Sequence, residues 1–181
     1  MTQFYGTHQN RLDAKKRVSV PASFRTVLKA QSDEGPHAAA APLVLRPSHQ
    51  HDCIEGWSLL GFEALAKPLG EYDQFSEAHE DFATTLYADV FTVETDREGR
   101  IVLPDELIAH AKLTEAVVFM GLGRMFQIWE PQAAERRRAE ARERTSRNRL
   151  TLRTEVGMNR PVPRAAAQAG DGTPDAGGAA P

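Results

Sequence analysis

The sequence predicts a mainly β protein that also contains helices (α+β), built from two β-β-α-β-β-α modules in tandem. The first observation behind this prediction is an internal repeat. Residues 13–21 recur as residues 96–104, a constant shift of 83 positions (96 − 13), with the shared pattern D-x-x-x-R-β-x-β-P in which β is Val, Ile or Leu. The second observation is that each copy of the motif is followed by apolar residues at helical spacing, then by two short strand-forming runs and a further helical stretch.

Each copy of the pattern predicts a β-hairpin. In the second copy, residues 90–95 are rich in strand-forming residues, and residues 100–103 provide a second strand across the segment 96–99. Asp96 at the start and Gly99 at the end of that segment suit a type I turn with a left-handed closing residue. Both D-x-x-x-R segments are therefore predicted to be hairpin turns.

A helix is predicted to follow each hairpin and to pack one side onto it. Pro21 and Pro104 end the second strand and suit a first helical turn, where a missing amide donor costs little. The apolar residues that follow with helical spacing are Phe24, Val27 and Leu28 in the first copy and Leu107, Ile108 and Ala111 in the second.

The rest of each module is predicted from short apolar runs. The second pairs of strands are residues 43–45 with 54–60, and residues 117–122 with 126–129. Further helices are predicted to begin near Phe62 and near Pro131, and over residues 76–88. Trp57 and Trp129 lie in apolar strand contexts and are predicted to belong to the core.

The predicted domain organisation follows the repeat. It comprises a first module at 4–70, a linking helix at 71–89, a second module at 90–138, and an Arg-rich helix with a disordered tail at 139–181. Residues 29–42 are expected to form an enlarged surface loop. Residues 133–153, where arginines alternate with glutamates, are expected to form a solvated, salt-bridged helix, and the Ala, Gly and Pro content beyond Met158 is typical of disorder.

The charge of the chain is segregated along the sequence. Its formal net charge of −3 is unusual for a protein that binds DNA. However, residues 11–25 contain five cationic side chains and only Asp13 as an acid, while acidic residues collect in 71–98. The sequence therefore indicates one positively charged face.

Cysteine use and hydropathy exclude several classes of protein. Cys53 is the only cysteine, so no disulfide can form within the chain. Residues 1–11 lack the apolar region of a signal peptide, and no apolar run reaches membrane-spanning length. We therefore expect a cytoplasmic protein without a membrane partner.

On these residues the chain resembles the MraZ family, whose members carry two D-x-x-x-R modules in tandem. The resemblance spans roughly residues 4–138 and includes V-S-V-P-A-S-F-R after the first turn and F-Q-I-W-E-P near the end of the second module. It implies a swapped-hairpin, AbrB-like double-split β-barrel of the AbrB and MazE type, formed by the two modules of one chain. It also implies a ring-shaped homo-oligomer.

The function that the resemblance implies is sequence-specific regulation of transcription. Family members are chiefly repressors of the bacterial division and cell-wall gene cluster, including their own promoter, where they bind short direct repeats in double-stranded DNA. They associate with the nucleoid. Three features of this chain depart from the family pattern: Lys16 in place of the usual glycine, the enlarged 29–42 loop and the Arg-rich C-terminal extension. If position 16 needs a positive φ, a non-glycine residue there costs on the order of 1 kcal/mol.

The residues expected to bind DNA lie in and around the two turns. Arg17 and Arg100 are the expected base readers, because a guanidinium can bond guanine O6 and N7 together. Nearby phosphate or base contacts are expected from Arg11, Lys15, Lys16 and Arg97. Asp13 and Asp96 are expected to orient the arginines or close the turns. The alternative is that both D-x-x-x-R pairs are purely structural ion pairs.

Other functions have weaker signals. Residues 49–53 include two histidines and Cys53, but no second pair of zinc ligands follows at a familiar spacing, and a Cys53 nucleophile has equally little support. No P-loop or dinucleotide-binding glycine pattern occurs, so we expect no enzyme activity, cofactor or small-molecule substrate. An antitoxin-like protein-binding module of the same barrel type is the main alternative function, and RNA binding is a third. The Arg-rich extension is open to three interpretations: a solvated helix, an oligomer contact or an auxiliary DNA arm.

Overall fold

A computed structural model of the chain describes residues 3–32 and 40–148. The strands are β1 (Thr7–Arg11), β2 (Arg17–Ser19), β3 (Pro42–Pro47), β4 (Ile54–Ser58), β5 (Phe91–Glu94), β6 (Arg100–Val102), β7 (Ala116–Gly121) and β8 (Phe126–Trp129). The helices are α1 (Ala22–Ala30), α2 (Leu59–Ala66), α3 (Glu77–Tyr87), α4 (Asp105–His110) and α5 (Pro131–Arg147), with a short 3-10 helix at Lys67–Glu71. The α+β prediction and the β-β-α-β-β-α order of each module are confirmed.

The strands form one large and one small antiparallel sheet. The six-stranded sheet has the order β1-β7-β8-β4-β3-β5, and β2 pairs only with β6. The two predicted strand pairs, β3 with β4 and β7 with β8, are confirmed. The modules exchange strands, since β1 pairs with β7 of the second module and β5 pairs with β3 of the first. Within the described residues the larger sheet is open, with β1 and β5 at its edges, and it does not close into a barrel.

The prediction that the two strands of the second-module hairpin pair with each other is wrong. Its turn is present, because Asp96 N donates to Arg100 O at 2.8 Å and Gly99 N donates to Asp96 O at 2.9 Å. Beyond the turn the two strands separate, and β5 pairs with β3 while β6 pairs with β2. In the first module, the predicted hairpin is reduced to one isolated antiparallel β-bridge between Leu12 and Val18. Pairing across the modules brings the buried residue of each short strand, Val18 or Ile101, into one shared core.

Both helices that follow the turns begin one residue later than the sequence suggested. Pro21 and Pro104 are N-cap residues with extended ψ angles of 140° and 145°, and they precede the first helical turn. Each proline still places its missing donor where no helical hydrogen bond is needed. The predicted apolar sides face the core, with Phe24, Val27, Leu28 and Leu107 all buried.

The six-stranded sheet separates two sets of packing contacts. One face shares the main core with β2, β6, α1 and α4, and the four fully buried phenylalanines Phe4, Phe24, Phe119 and Phe126 lie there. The other face carries α5 over one half of the sheet and α2 with α3 over the other half. Trp57 and Trp129 are each 4% exposed on this second face, which confirms that both belong to the core.

The remaining predictions are only partly covered by the described residues. The loop at 29–42 overlaps the end of α1 and the start of β3, and its residues 33–39 lie outside them. The solvated helix is confirmed as far as Arg147, with ion pairs from Arg144 to Glu140 and from Arg147 to Glu143. The predicted disordered tail lies wholly outside them. Among the described helices, none has the length and apolar character needed to span a lipid bilayer.

Candidate nucleic-acid interface

The two D-x-x-x-R turns meet on a two-stranded ribbon formed by β2 and β6. Val18 lies opposite Ile101, Arg17 lies opposite Val102, and Ser19 lies opposite Arg100. Val18 and Ile101 are buried against the core, so alternation along each strand directs Arg17 and Arg100 to the outer face. The two arginines occupy diagonal positions, for which strand geometry gives a separation of about 7–8 Å. One surface therefore presents both predicted base readers.

Backbone hydrogen bonds between the modules fix the position of each turn. Val20 N donates to Gly99 O, and Leu103 N donates to Lys16 O, both at 2.9 Å. The two bonds join equivalent positions of the internal repeat. Each turn is therefore held by the residue that follows the short strand of the other module. This arrangement makes the ribbon a product of both halves of the chain.

The aspartate of each turn bonds both the backbone and its arginine. Asp13 Oδ1 accepts from the amides of Lys15 and Arg17 at 2.9 and 2.8 Å, and Asp13 Oδ2 accepts from Arg17 Nε and Nη2 at 2.8 and 2.7 Å. Asp96 repeats this pattern with the amides of Glu98 and Arg100 and with the Arg100 side chain. The predicted turn-closing and arginine-orienting contacts are therefore both present.

Titration of these groups reflects the same contacts. The backbone hydrogen bond from Arg17 is the largest cause of a lowered pKa for Asp13, and its side-chain bond acts in the same direction. The pKa of Asp96 is lowered mainly by the backbone amide of Arg100. The Asp96 carboxylate in turn raises the pKa of Arg100 through their side-chain hydrogen bond. Both carboxylates are thus held in the charged form that orients the guanidinium groups.

The two arginines differ in the donors that they leave free. Arg17 uses Nε and one hydrogen of Nη2 on Asp13, and among the described residues nothing bonds its Nη1. Arg100 uses Nη2 on both Asp96 and Glu98, the latter at 2.9 Å. Their side chains are 33% and 32% exposed, so exposure alone does not distinguish them. The terminal fork of Arg17 is the more available one for a planar pair of acceptors.

The other predicted contact residues surround the ribbon. Arg11, at the end of β1, is exposed, as are Lys15 and Arg97 in the two turns. Lys16 has a φ of +62° and its equivalent Gly99 has a φ of +76°, so position 16 does require the left-handed region. Lys16 Nζ forms an ion pair with Asp105 at the start of α4, which links the first turn to the second module.

Two residues that position the ribbon were not singled out from the sequence. Asn10 Nδ2 donates to Ser19 O at 2.5 Å, and Arg25 Nη1 donates to Val20 O at 2.5 Å. The Arg25 side chain also fills the space beside Gly99, where an added Cβ would lie 2.6 Å from it. Arg25 is the last cation of the basic segment 11–25, and the sequence has no signal for its contact with a residue 74 positions away (99 − 25).

The histidine and cysteine segment has a different environment. Cys53 is fully buried, and burial raises the pKa of its thiol to about 12. The His51 ring packs on Trp129 with centroids 5.6 Å apart, and His49 Nδ1 lies 3.5 Å from Arg46 Nη2. Over residues 3–32 and 40–148, no three His, Cys, Asp or Glu side chains come together as a metal site. A buried neutral thiol is a poor nucleophile and a poor metal ligand.

Comparison with known proteins identifies the family. A family model described as "MraZ protein, putative antitoxin-like" matches residues 86–154. Proteins named transcriptional regulator MraZ from Gluconacetobacter diazotrophicus and Gluconobacter oxydans are 61% and 60% identical over 145 residues, which is 80% of this chain and 89% and 85% of theirs. The chain belongs to the MraZ family. A further member, from Pelagibacter ubique, is 36% identical over 86% of this chain and 96% of its own length.

The matched family model covers the elements that carry the second turn. The family model includes β5 to β8, and therefore the second turn with Asp96 and Arg100. The alignments with the MraZ proteins of Gluconacetobacter diazotrophicus and Gluconobacter oxydans extend over 145 residues, more than either module alone. The resemblance noted from the paired D-x-x-x-R motifs is thus confirmed at the level of the family.

Proposed function

We propose that this chain regulates transcription by binding double-stranded DNA sequence-specifically through the β2–β6 ribbon and its two turns. The observation that carries the proposal is the position of Arg17 and Arg100 on one outer face of the ribbon, each oriented by an aspartate. The relatives named transcriptional regulators support the same function.

The proposed contacts follow from the dimensions of DNA. A two-stranded ribbon fits the major groove, where an arginine fork bonded to guanine O6 and N7 contributes about 1 to 3 kcal/mol of base discrimination. Asp13 holds Arg17 by one edge of its guanidinium and leaves the terminal edge for the base. Arg11, Lys15, Lys16 and Arg97 are assigned to phosphates or neighbouring bases, and Asp13 and Asp96 act by positioning their arginines.

The finer features of the proposal come from the family. The chain acts as a repressor of the bacterial division and cell-wall gene cluster, including its own promoter, and binds direct repeats as a ring-shaped homo-oligomer on the nucleoid in the cytoplasm. Several ribbons in one ring bind repeated sites more strongly than one ribbon, because the first contact raises the effective concentration of the next. The exchange of β1 and β5 between modules supports assignment to the swapped-hairpin barrel class.

Binding titrations on DNA from upstream of the chain's own gene test the proposal. The wild type is expected to prefer this DNA over a scrambled sequence and to lose affinity steeply with added salt. Arg17→Lys keeps the charge but loses the planar guanidinium fork. Its salt slope should therefore be close to that of the wild type, while its preference for the native over the scrambled DNA should be smaller. Arg17→Ala should lose both preference and part of the slope.

Arg124→Ala is the matched control. Arg124 is exposed in the β7–β8 turn, which lies beside Phe4 at the opposite end of β1 from the first turn. This variant should bind like the wild type. Equal affinity of the wild type for the native and scrambled DNAs would contradict sequence-specific regulation and favour the antitoxin-like alternative.

A further inference from the structure

Helix α5 lies on the face of the six-stranded sheet that is remote from the DNA-binding ribbon. Along β7, Val117 and Phe119 pack into the core shared with the ribbon, whereas Val118 and Met120 pack with α5. Neighbouring residues of a strand point to opposite faces. An arm on this face is poorly placed to contact the duplex that the ribbon of the same chain binds.

Helices α2 and α3 lie on that same remote face, over the other half of the sheet. Along β3, Leu43 and Leu45 belong to the ribbon-side core, and Val44 packs with Phe62 of α2 and Leu86 of α3. Strand β7 is second and β3 is fifth in the sheet order. The remote face of the six-stranded sheet therefore has two separate surfaces, one at α5 and one at α2 and α3.

The surface at α2 and α3 is both apolar and acidic, and we call it the aromatic-acidic surface. Its exposed apolar residues are Leu65, Tyr72 and Phe82, which line one groove, and Tyr87, whose ring packs on Phe62 of α2; Leu60 of α2 and Phe75, just before α3, are exposed as well. Phe75 is 89% exposed, and the rings of Tyr72 and Phe82 lie 5.3 Å apart. An open groove of about 480 Å³ lies beside these two rings, and its other charged and titratable lining residues are Asp81, His49 and Arg46, of which Arg46 is already paired with Glu55. Exposed apolar side chains that gather at one surface favour contact with another molecule.

Acidic side chains without an ion-pair partner complete this surface. Glu77 and Asp81 are exposed on α3, four residues apart and thus on one side of the helix. In the part of the chain that the structure describes, neither forms a salt bridge. The partner that fits is a cationic side chain with an apolar stem that can also pack on aromatic rings.

The second half of α5, residues 138–147, presents such side chains, and we call it the arginine arm. Its arginines are Arg138, Arg142, Arg144 and Arg147. Arg144 and Arg147 are paired with glutamates of the same helix. Arg138 and Arg142 have no salt-bridge partner within the described residues, and they are four residues apart, the same spacing as Glu77 and Asp81.

We propose that the arginine arm of one copy binds the aromatic-acidic surface of a neighbouring copy of this chain. Arginine and aromatic residues are the types most enriched in protein interfaces. Because the two surfaces are different parts of one molecule, each copy can bind one neighbour through its arm and another through its surface, and such head-to-tail contacts form rings when the rotation closes. The inference rests on the oligomeric part of the proposed function and names the surfaces that form it.

Charge reversal and charge exchange test the contact. The masses of full-length variants would be measured by size-exclusion chromatography with light scattering, over a range of concentrations and at two salt concentrations. The arm variant Arg138→Glu with Arg142→Glu, and the surface variant Glu77→Arg with Asp81→Arg, should each weaken association about tenfold or more, since two attractive pairs become repulsive. The four-fold variant should recover association, and Arg138→Lys with Arg142→Lys should retain it. Circular dichroism would check that each variant is folded.

The outcomes separate this contact from the function itself. Loss of mass in both reversed variants and recovery in the four-fold variant support the contact. An oligomeric wild type whose mass the reversals leave unchanged overturns the contact while leaving the ring and DNA binding intact. Unchanged mass with a lower salt slope for DNA binding identifies the arm as a DNA contact instead and also overturns the inference. A monomeric wild type contradicts both the contact and the proposed ring.

Discussion

At the scale of single residues, the two turns have the same backbone and different electrostatics. Asp13 and Asp96 make equivalent bonds to their turns and arginines. The position that is Lys15 in the first copy is Glu98 in the second, and Glu98 occupies a donor of Arg100. The first turn is therefore the more cationic of the two and retains the freer guanidinium.

Replacing Glu98 by Lys should make the second turn resemble the first. Because the change removes an acceptor from Arg100 and adds a cation near the groove, we expect tighter binding to DNA from upstream of the gene, and a salt slope steeper by about 1. Fluorescence anisotropy titrations at several salt concentrations measure both. Glu63→Lys, with the same charge change on α2 and away from the ribbon, is the control and should bind like the wild type. Weaker binding by Glu98→Lys would contradict the assigned role of the second turn.

Lys16 has the left-handed backbone that its equivalent Gly99 adopts without steric cost. We expect Lys16→Gly to be more stable than Lys16→Ala by about 1 kcal/mol, because only glycine relieves the positive φ. The comparison with alanine removes the Lys16–Asp105 ion pair from both variants. Urea unfolding measures the difference. Gly99→Ala should be destabilised by at least as much, and equal stability of the two Lys16 variants would show that the turn carries no strain.

At the scale of secondary-structure elements, close packing between β4 and β8 explains a glycine inside a strand. Gly56 lies opposite Phe126, and an added Cβ would come within 2.4 Å of the Phe126 ring. This ring also contacts Phe4, Phe24 and Phe119, so it has little room to move. The absence of a side chain at position 56 therefore leaves the space on β4 that the Phe126 ring occupies.

Gly56→Ala should destabilise the protein by about 1–3 kcal/mol, since overpacking forces the ring or the strand to shift. Gly70→Ala is the control, because no atom lies within 4 Å of the Cβ that it would add. Chemical unfolding followed by tryptophan fluorescence compares both variants with the wild type. A Gly56→Ala protein as stable as the control would show that the β4–β8 contact can relax.

At the scale of the whole molecule, the two sequence modules form a single folding unit. Strands β1, β2 and β5 have their partners in the other half of the chain, and residues of both halves share the main core. The ribbon that presents Arg17 and Arg100 exists only when both halves are together. Cooperation between the halves is therefore a condition for the proposed DNA contact.

Residues 1–88 and 89–181, produced separately, should each fail to fold, because each half would lose the partners of its edge strands and much of its core. Mixing the two fragments should restore strand structure and dispersed amide signals. Circular dichroism and two-dimensional NMR of each fragment, of the mixture and of the intact chain test this expectation. Cooperative unfolding of either fragment by itself would contradict it.

The sequence by itself determined the features that depend on neighbouring residues. The turn at Asp96–Gly99, the pairing of β3 with β4 and of β7 with β8, and the helices after Pro21 and Pro104 were all predicted correctly, because turn chemistry and periodicity are local. The repeat also identified the family. The predicted β5–β6 pair was wrong, since periodicity shows which face of a strand is buried but not which strand lies beside it.

Only the tertiary structure decided how the two turns come together and which hydrogen-bond donors of Arg17 and Arg100 remain without a partner among the described residues. The β2–β6 pair places the equivalent residues Val18 and Ile101, 83 positions apart (101 − 18), opposite each other. The side chains of Arg25 and Asn10 that support this pair give no local signal in the sequence. The open sheet, and the placement of the arginine arm and the aromatic-acidic surface on its far face, likewise result from contacts between distant segments. Such contacts depend on burying the apolar faces of both halves in one core, and no stretch of sequence taken alone contains that information.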